Sequence, residues 1–78
     1  MKELDVVKAS DILGIECFQI NTAKKVGKVV DINYSTQSGN IESIVIKTLQ
    51  KIQNKKQISI NFGNIVAIGD IMLIEFHI

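Results

Sequence analysis

The residue types that commonly catalyse reactions or bind metals are few in this sequence and widely spaced. Cys17 is the only cysteine and His77 the only histidine. A nucleophilic cysteine needs a base within hydrogen-bond reach, and a structural zinc ion needs about four ligands, mostly Cys and His. One residue of each type, far apart in the chain, indicates neither arrangement. We therefore predict no metal site and interpret Cys17 as a small buried hydrophobic residue. His77 is expected to be an exposed or interface side chain.

The carboxylates show no spacing that would pair one acid with one base. The candidates are Asp31, Glu42, Asp70 and Glu75, which fall on predicted strand surfaces and in predicted turns. The five glycines are spaced as turn and strand glycines, and no glycine-rich phosphate loop is present. The sequence therefore predicts a protein that is not an enzyme and needs no cofactor.

The charge of the chain is nearly balanced. Nine lysines, no arginine and eight acidic residues give a formal net charge of +1. Nucleic-acid-binding domains usually carry a clustered basic surface, and here the only sequence clusters are Lys24-Lys25 and Lys55-Lys56. Lys24, Lys25 and Lys28 could contact phosphate, an acidic protein or solvent alone.

The aromatic residues give a second argument about nucleic acid. They are Phe18, Tyr34, Phe62 and Phe76. In so small a domain we expect all four in the core, which leaves no exposed platform on which bases could stack. The aromatic and charge patterns together argue against nucleic acid as a partner.

The length of the chain limits it to a single domain, residues 1–78. Domains of this size bury only about 60% of the surface of the unfolded chain, and a partner subunit often supplies further burial. The first residues lack the pattern of a signal peptide. The longest apolar run is far shorter than the ~20 residues that cross a bilayer. We expect a cytoplasmic protein without direct membrane insertion.

Short alternating apolar segments separated by tight turns predict an all-β fold, a small β-barrel of six or seven short strands. The predicted strands are residues 4–8, 15–20, 26–34, 41–48, 57–60, 66–68 and 71–78. One or two single helical turns are also predicted, the first over Asp11–Leu13 with Ser10 as its cap and Gly14 at its end. Residues 49–57 could form a loop, a frayed hairpin arm or a helical turn.

The central hairpin and the last strand carry apolar residues on both of their faces. In the hairpin, Val29, Ile41 and Val45 lie on the face opposite the predicted core. On the last strand, one row consists of Met72, Ile74, Phe76 and Ile78, and the other of Ile71 and Leu73. One row must face the core, and proteins normally cover a second apolar row.

The surplus of apolar strand residues predicts a symmetric homodimer through the C-terminal strand. The predicted interface residues are Val29, Ile41, Val45, Leu73, Phe76 and Ile78, with Lys24 and Lys25 as rim charges that steer the encounter. In the alternative interpretation, a closed barrel and its loops bury both rows, and the protein has no such surface.

Three segments of the chain resemble the PRC-barrel family, which is named after the H subunit of the photosynthetic reaction centre. They are "SDILGIECF", "KKVGKVVDINYSTQSGNIESIVI" and "ISINFGNIVAIGDIMLIEF". Most of the match lies in Lys25–Asp31, in Ser38-Gly39 with Ile41, and in Ile68-Gly69-Asp70. The resemblance implies a PRC-type barrel over nearly the whole chain.

The resemblance also implies a function. The lysine-rich, arginine-free composition and the minimal length look like those of stand-alone archaeal members. Some of these resemble cell-division proteins that dimerise and bind the SepF-type anchor of the division ring. The implied function is a protein–protein interaction adaptor in archaeal cytokinesis, at the mid-cell division site. Other members are modules of a ribosome-maturation factor, which implies an RNA-associated module as the alternative.

Overall fold

The structure, a computed structural model, describes residues 9–52 and 54–75. Its elements are α1 (Ala9–Ile12), β1 (Glu16–Gln19), β2 (Lys25–Tyr34), β3 (Ile41–Ile52), β4 (Lys55–Asn61), a single 3₁₀ turn (Phe62–Asn64), β5 (Ile65–Ile68) and β6 (Ile71–Ile74). Six of the predicted strands are therefore present. The predicted strand 4–8 lies outside the described residues, as do the last three residues of the predicted strand 71–78.

The six strands form one sheet in the order β4-β3-β2-β1-β6-β5. All neighbouring strands run antiparallel except β1 and β6, which are parallel. The sheet curls into a half-barrel, so the prediction of a small all-β barrel is confirmed. Isoleucine and valine dominate its strands because β-branched side chains pack well on a pleated surface.

One hydrophobic core fills the inner face of the curl. Its ten buried residues are Ile12, Cys17, Val26, Val29, Ile44, Ile46, Ile60, Ile65, Met72 and Ile74. Ile44 and Ile46 of β3 belong to this cluster together with Met72 and Ile74 of β6, and α1 contributes Ile12. The row of the last strand that contains Met72 and Ile74 therefore faces the core.

A β-bulge in β2 decides which of its central side chains are buried. In the pairing with β3, Val29 lies opposite Ile46 and Asp31 opposite Val45, so Val30 is an extra residue at a β-bulge. A bulge resets the alternation of faces along a strand. Val29 consequently faces the core and is 1% exposed, whereas Val30 faces out. The prediction that Val29 lies on the outer face is therefore wrong.

Gly27 allows the backbones of β2 and β3 to approach closely. A Cβ atom at this position would overlap the carbonyl oxygen of Lys47 and lie 2.9 Å from the Cγ2 atom of Ile46. Gly27 also pairs with Cys17 of β1. Only glycine fits between the two neighbours at this point of the curl.

The segment 49–57, whose structure the sequence did not decide, forms the arms of a β-hairpin over its described residues. Strand β3 continues to Ile52, and β4 begins at Lys55 after Asn54, whose φ is 66°. The hydroxyl of Thr48 donates a 2.9 Å hydrogen bond to the carbonyl oxygen of Lys56, which ties the two arms together. Neither a loop nor a helical turn is present over the described residues of this segment.

The first helical turn differs slightly from its prediction. Helix α1 begins at Ala9, so Ser10 lies within the helix and does not precede it as a cap. Gly14 has a φ of 87° and ends the turn in the left-handed conformation, as predicted. Its N–H donates to the carbonyl oxygen of Val29, which fastens the end of α1 to β2.

Candidate interaction surface

Cys17 has the environment of a core residue. It is fully buried, and its Sγ atom lies 3.9 Å from the Sδ atom of Met72 and 3.7 Å from the carbonyl oxygen of Ile15. Burial raises the pKa of the Cys17 thiol to about 11 because the thiolate would be desolvated. At neutral pH the thiol is therefore protonated, and a nucleophilic role has no support in the geometry.

Among residues 9–52 and 54–75, no three His, Cys, Asp or Glu side chains come together in a way that could hold a metal ion. His77 lies outside the described residues. The sequence also pointed to the outer face of the sheet as a candidate for function.

An apolar patch crosses three neighbouring strands on this outer face. Phe18 of β1 lies beside Leu73 of β6, and Leu73 lies beside Ala67 of β5. Ile71, one row away and opposite Glu16, is 42% exposed. We call Phe18, Ala67, Ile71 and Leu73 the outer apolar patch. Its members are half-buried or exposed, and none of them belongs to the core.

An ion pair lies along one side of the outer apolar patch. Lys25 of β2 is the cross-strand partner of Phe18, and its Nζ atom lies 2.7 Å from the Oε2 atom of Glu16. The hydrogen bond from Lys25, together with the charge of its ammonium group, lowers the pKa of the Glu16 carboxyl. The predicted rim charge Lys25 therefore borders the patch, and Lys24 is exposed in the loop before it.

The predicted contact residues of the central hairpin lie in different places. Val29 belongs to the core, and Ile41 is half-buried and packs against the core. Val45 faces out, but its cross-strand neighbours are Asp31 and Ser59. A single half-buried valine among polar residues is not an apolar patch, so the outer face of this hairpin is not the continuous surface that the sequence suggested.

The last strand agrees better with the sequence. Leu73 lies at the centre of the outer apolar patch, and Ile71 shares its face. Phe76 and Ile78 lie outside the described residues, so their predicted contacts stay predictions.

Phe18 and Ala67 were missed as surface candidates. Phe18 was expected in the core, yet the alternation of Cys17 and Phe18 along one strand already places them on opposite faces. Ala67 becomes part of the patch through the pairing of β5 with β6, which no local pattern reveals. Tyr34 was also expected in the core and is 49% exposed, whereas Phe62 does pack against the core.

The comparison with protein families agrees with this architecture. The PRC-barrel domain model matches residues 4–77. The chain belongs to the PRC-barrel family. No curated protein matches it.

The PRC-barrel is in general a non-catalytic module, which fits the buried thiol of Cys17. Gly27 corresponds to the glycine of the "GKV.D" element in the resemblance noted above, and its close approach to Lys47 gives that glycine a structural reason. Within the described residues, no helix combines the length and the apolar character needed to cross a bilayer.

Proposed function

We propose that this PRC-barrel is a non-enzymatic adaptor that forms a homodimer and presents two copies of one surface to a second protein. The observation that supports it is the outer apolar patch on β1, β6 and β5. Apolar side chains in contact with one another on an outer face are typical of surfaces that a protein covers.

We propose that the outer apolar patch first binds a second copy of the chain. In a symmetric dimer the same patch is used by both subunits, so one small apolar surface covers itself. Strand β5, beside the patch, is the last strand of the sheet in the part of the chain that is described. Burying this strand together with the patch would protect the edge from non-specific pairing.

The more specific proposal is a scaffold in archaeal cell division that binds a SepF-type anchor at the mid-cell. Its support is the resemblance of the sequence to stand-alone archaeal cell-division members of the family. The dimer would offer the anchor two equivalent sites, either an apolar groove or a strand edge. Phe76 and Ile78, next to the patch along the chain, are proposed as further contacts.

The dimer is tested by light scattering coupled to size-exclusion chromatography. The wild type should have twice the chain mass of 8.7 kDa, and Ile71→Glu should be monomeric because a carboxylate would be buried at the contact. Tyr34→Glu, an equally large change at an exposed apolar residue away from the patch, should stay dimeric. A monomeric wild type at the highest soluble concentration removes the dimer from the proposal.

The cellular role is tested by fluorescent tagging in the native host and by affinity capture with wild type, Ile71→Glu and Tyr34→Glu. A mid-cell band, with a division protein captured by wild type and Tyr34→Glu, supports the cytokinesis role. Diffuse fluorescence with capture of ribosomal proteins alone rejects it.

A second candidate function is an RNA-associated module of ribosome maturation. The observation in its favour is that the lysines of β2, β3 and β4 lie at one end of the sheet, with Phe18 beside Lys25. RNA binding of this kind weakens steeply as salt increases, because bound cations are released from phosphates. Titration of RNA at several salt concentrations tests it, and salt-insensitive or absent binding rejects it.

A further inference from the structure

The sheet collects lysines that are scattered in the sequence. Between residues 20 and 61 the chain has seven lysines and two acidic residues. The lysines are Lys24, Lys25, Lys28, Lys47, Lys51, Lys55 and Lys56, which lie before and early in β2, late in β3 and early in β4. Because these strands alternate in direction, the three stretches meet at one end of the sheet, which we call the lysine end. The two acids, Asp31 and Glu42, lie towards the opposite end of the β2–β3 hairpin.

Most lysines at the lysine end have no carboxylate within ion-pair distance among the described residues. Lys28 and Lys47 lie directly opposite each other on β2 and β3, an arrangement that is destabilising for like charges. Glu16, opposite Lys28 on β1, offsets part of this repulsion. Among the residues that the structure describes, Lys25 is the one lysine with a carboxylate within ion-pair distance, that of Glu16. An anionic partner would relieve this repulsion.

A groove opens at the lysine end where β2 and β3 stop pairing. The last register pair between them at this end is Gly27 with Thr48. Beyond it, the groove has a volume of about 380 Å³. Its lining includes Lys24, Lys25, Val26, Leu49, Lys51 and Ile52. This volume is within the roughly 300–1,000 Å³ of typical ligand sites.

The lining of the groove combines an apolar base with cationic walls. Val26 belongs to the core and Ile52 packs against it, so both side chains are fixed in place. Leu49, with 64% of its surface exposed, is the most exposed large apolar side chain among the described residues. Lys24 and Lys51 are exposed on the two sides of the groove. Such a site suits a ligand that carries an apolar group between negative charges.

We infer that the groove binds a short acidic peptide segment of a partner protein. An apolar side chain of the peptide packs against Leu49, Val26 and Ile52, and its carboxylates pair with Lys24 and Lys51. The lining contains no aromatic residue and no arginine, and these are the groups on which nucleic-acid bases stack. The inference rests on the proposed adaptor function but uses a surface separate from the outer apolar patch.

The test is fluorescence anisotropy with a labelled peptide of aspartates and glutamates around a central leucine. Two control peptides carry a central serine, or lysines in place of the acids. Wild type should bind the first peptide, bind the serine peptide more weakly, and not bind the lysine peptide. The double variant K24E/K51E should weaken binding at least about tenfold, since each reversed charge replaces attraction by repulsion. Leu49→Ser should weaken it about threefold or more through lost apolar contact.

A matched control distinguishes the loss of contacts in the groove from the general effect of a changed net charge. K55E/K56E makes the same change in charge at the lysine end but outside the groove lining, and it should weaken binding less than K24E/K51E by a factor of about three or more. Equal losses in the two double variants, or no binding by wild type, overturn the inference.

Two other anionic ligands, RNA and an anionic membrane, are tested in the same assay. The probes are labelled oligouridine and vesicles that contain phosphatidylglycerol. Binding of either in preference to the peptide, with the same loss in K24E/K51E, overturns the peptide inference. Failure of the adaptor proposal is distinguishable because Ile71→Glu lies outside the groove. A monomeric wild type that binds the peptide supports the peptide-binding groove and contradicts the proposed dimer. A dimeric wild type that does not bind the peptide supports the dimer and contradicts the peptide-binding groove.

Discussion

The inner and outer faces of β1 and β6 differ in burial although both are apolar. On the inner face, Cys17 and Met72 lie opposite each other and are fully buried. On the outer face, the neighbouring pair Phe18 and Leu73 is only half-buried. The same two strands thus hold the core with one set of side chains and place the other set on the outer face of the sheet. The comparison shows that an apolar strand residue can lie either in the core or on the outer face, and that the curl of the sheet determines which of the two it is.

The largest effect on the free energy of unfolding is expected at Gly27, where β2 and β3 approach each other closely. In Gly27→Ala the new methyl group would overlap the carbonyl oxygen of Lys47, and a backbone atom cannot move aside as a side chain can. We expect a loss of about 4 kcal/mol or more in the free energy of unfolding, which is most of the stability of a small domain. Circular dichroism and thermal unfolding measure it. Gly63→Ala is the control, because no atom lies within 4 Å of a Cβ at that position.

The second prediction compares adjacent residues of β6 on opposite faces. Met72→Ala should lower the free energy of unfolding by about 3 kcal/mol, because it leaves a cavity in the core. Ile71→Ala, at a 42% exposed position, should change it by less than about 1 kcal/mol. Urea denaturation of both variants at low protein concentration gives the two values. Equal losses would contradict the division of the strand into a core face and a surface face.

The third prediction concerns Cys17 as an apolar core residue. Cys17→Ser should cost about 2 kcal/mol of unfolding free energy, because it places a hydroxyl among apolar side chains. Cys17→Ala should cost about 1 kcal/mol, since the sulfur contacts with Met72 and with the carbonyl oxygen of Ile15 are lost. Urea denaturation distinguishes them, and a serine variant as stable as the alanine variant would show that the site accepts a polar group.

The smallest effect is expected from the ion pair on the outer face. The pKa of Glu16 is lowered in the folded state from its ordinary value of 4.5. The stabilisation is therefore fully present above about pH 4.5 and is lost as the pH falls through the folded pKa. The melting temperature of Glu16→Gln should be slightly below that of wild type at pH 7, and the gap should close on acidification.

Glu42→Gln provides the comparison for this measurement. Glu42 is an exposed carboxylate at the other end of the β2–β3 hairpin. The melting temperature of Glu42→Gln should therefore equal that of wild type at pH 7. A gap for Glu16→Gln that widens on acidification would contradict a native-state role for the pair.

Local sequence patterns predicted most elements but not their side-chain faces. Six predicted strands from residue 15 onwards, the turn ended by Gly14 and the hairpin turn with Gly39 in the left-handed conformation are all present. The two-residue period was applied to β2 without its bulges, so Val29 was placed outside. A bulge depends on how two strands pair, and the pattern of one strand does not contain that information.

The candidate surfaces were predictable in part. Leu73 was identified because an apolar row on each face of one strand is visible in the sequence. The groove was not predicted, because it depends on where β2 and β3 cease to pair and on the extension of β3 to Ile52. The polar, lysine-rich segment 49–57 favoured a loop or a frayed hairpin arm over a helical turn, but its local pattern did not decide between the loop and the hairpin.

By itself, the sequence determined that this protein is an all-β domain with apolar residues on both sides of several strands. Composition and local alternation suffice for these features because they depend on neighbours in the chain. Tertiary structure decided that Phe18, Ala67 and Leu73 share one patch, through the parallel pairing of β1 with β6 and the pairing of β5 with β6. It also decided that the lysines of three strands meet at one end. Both features bring together residues that are far apart in the sequence. Only strand pairing and the curl of the sheet determine which of these residues lie close together in space.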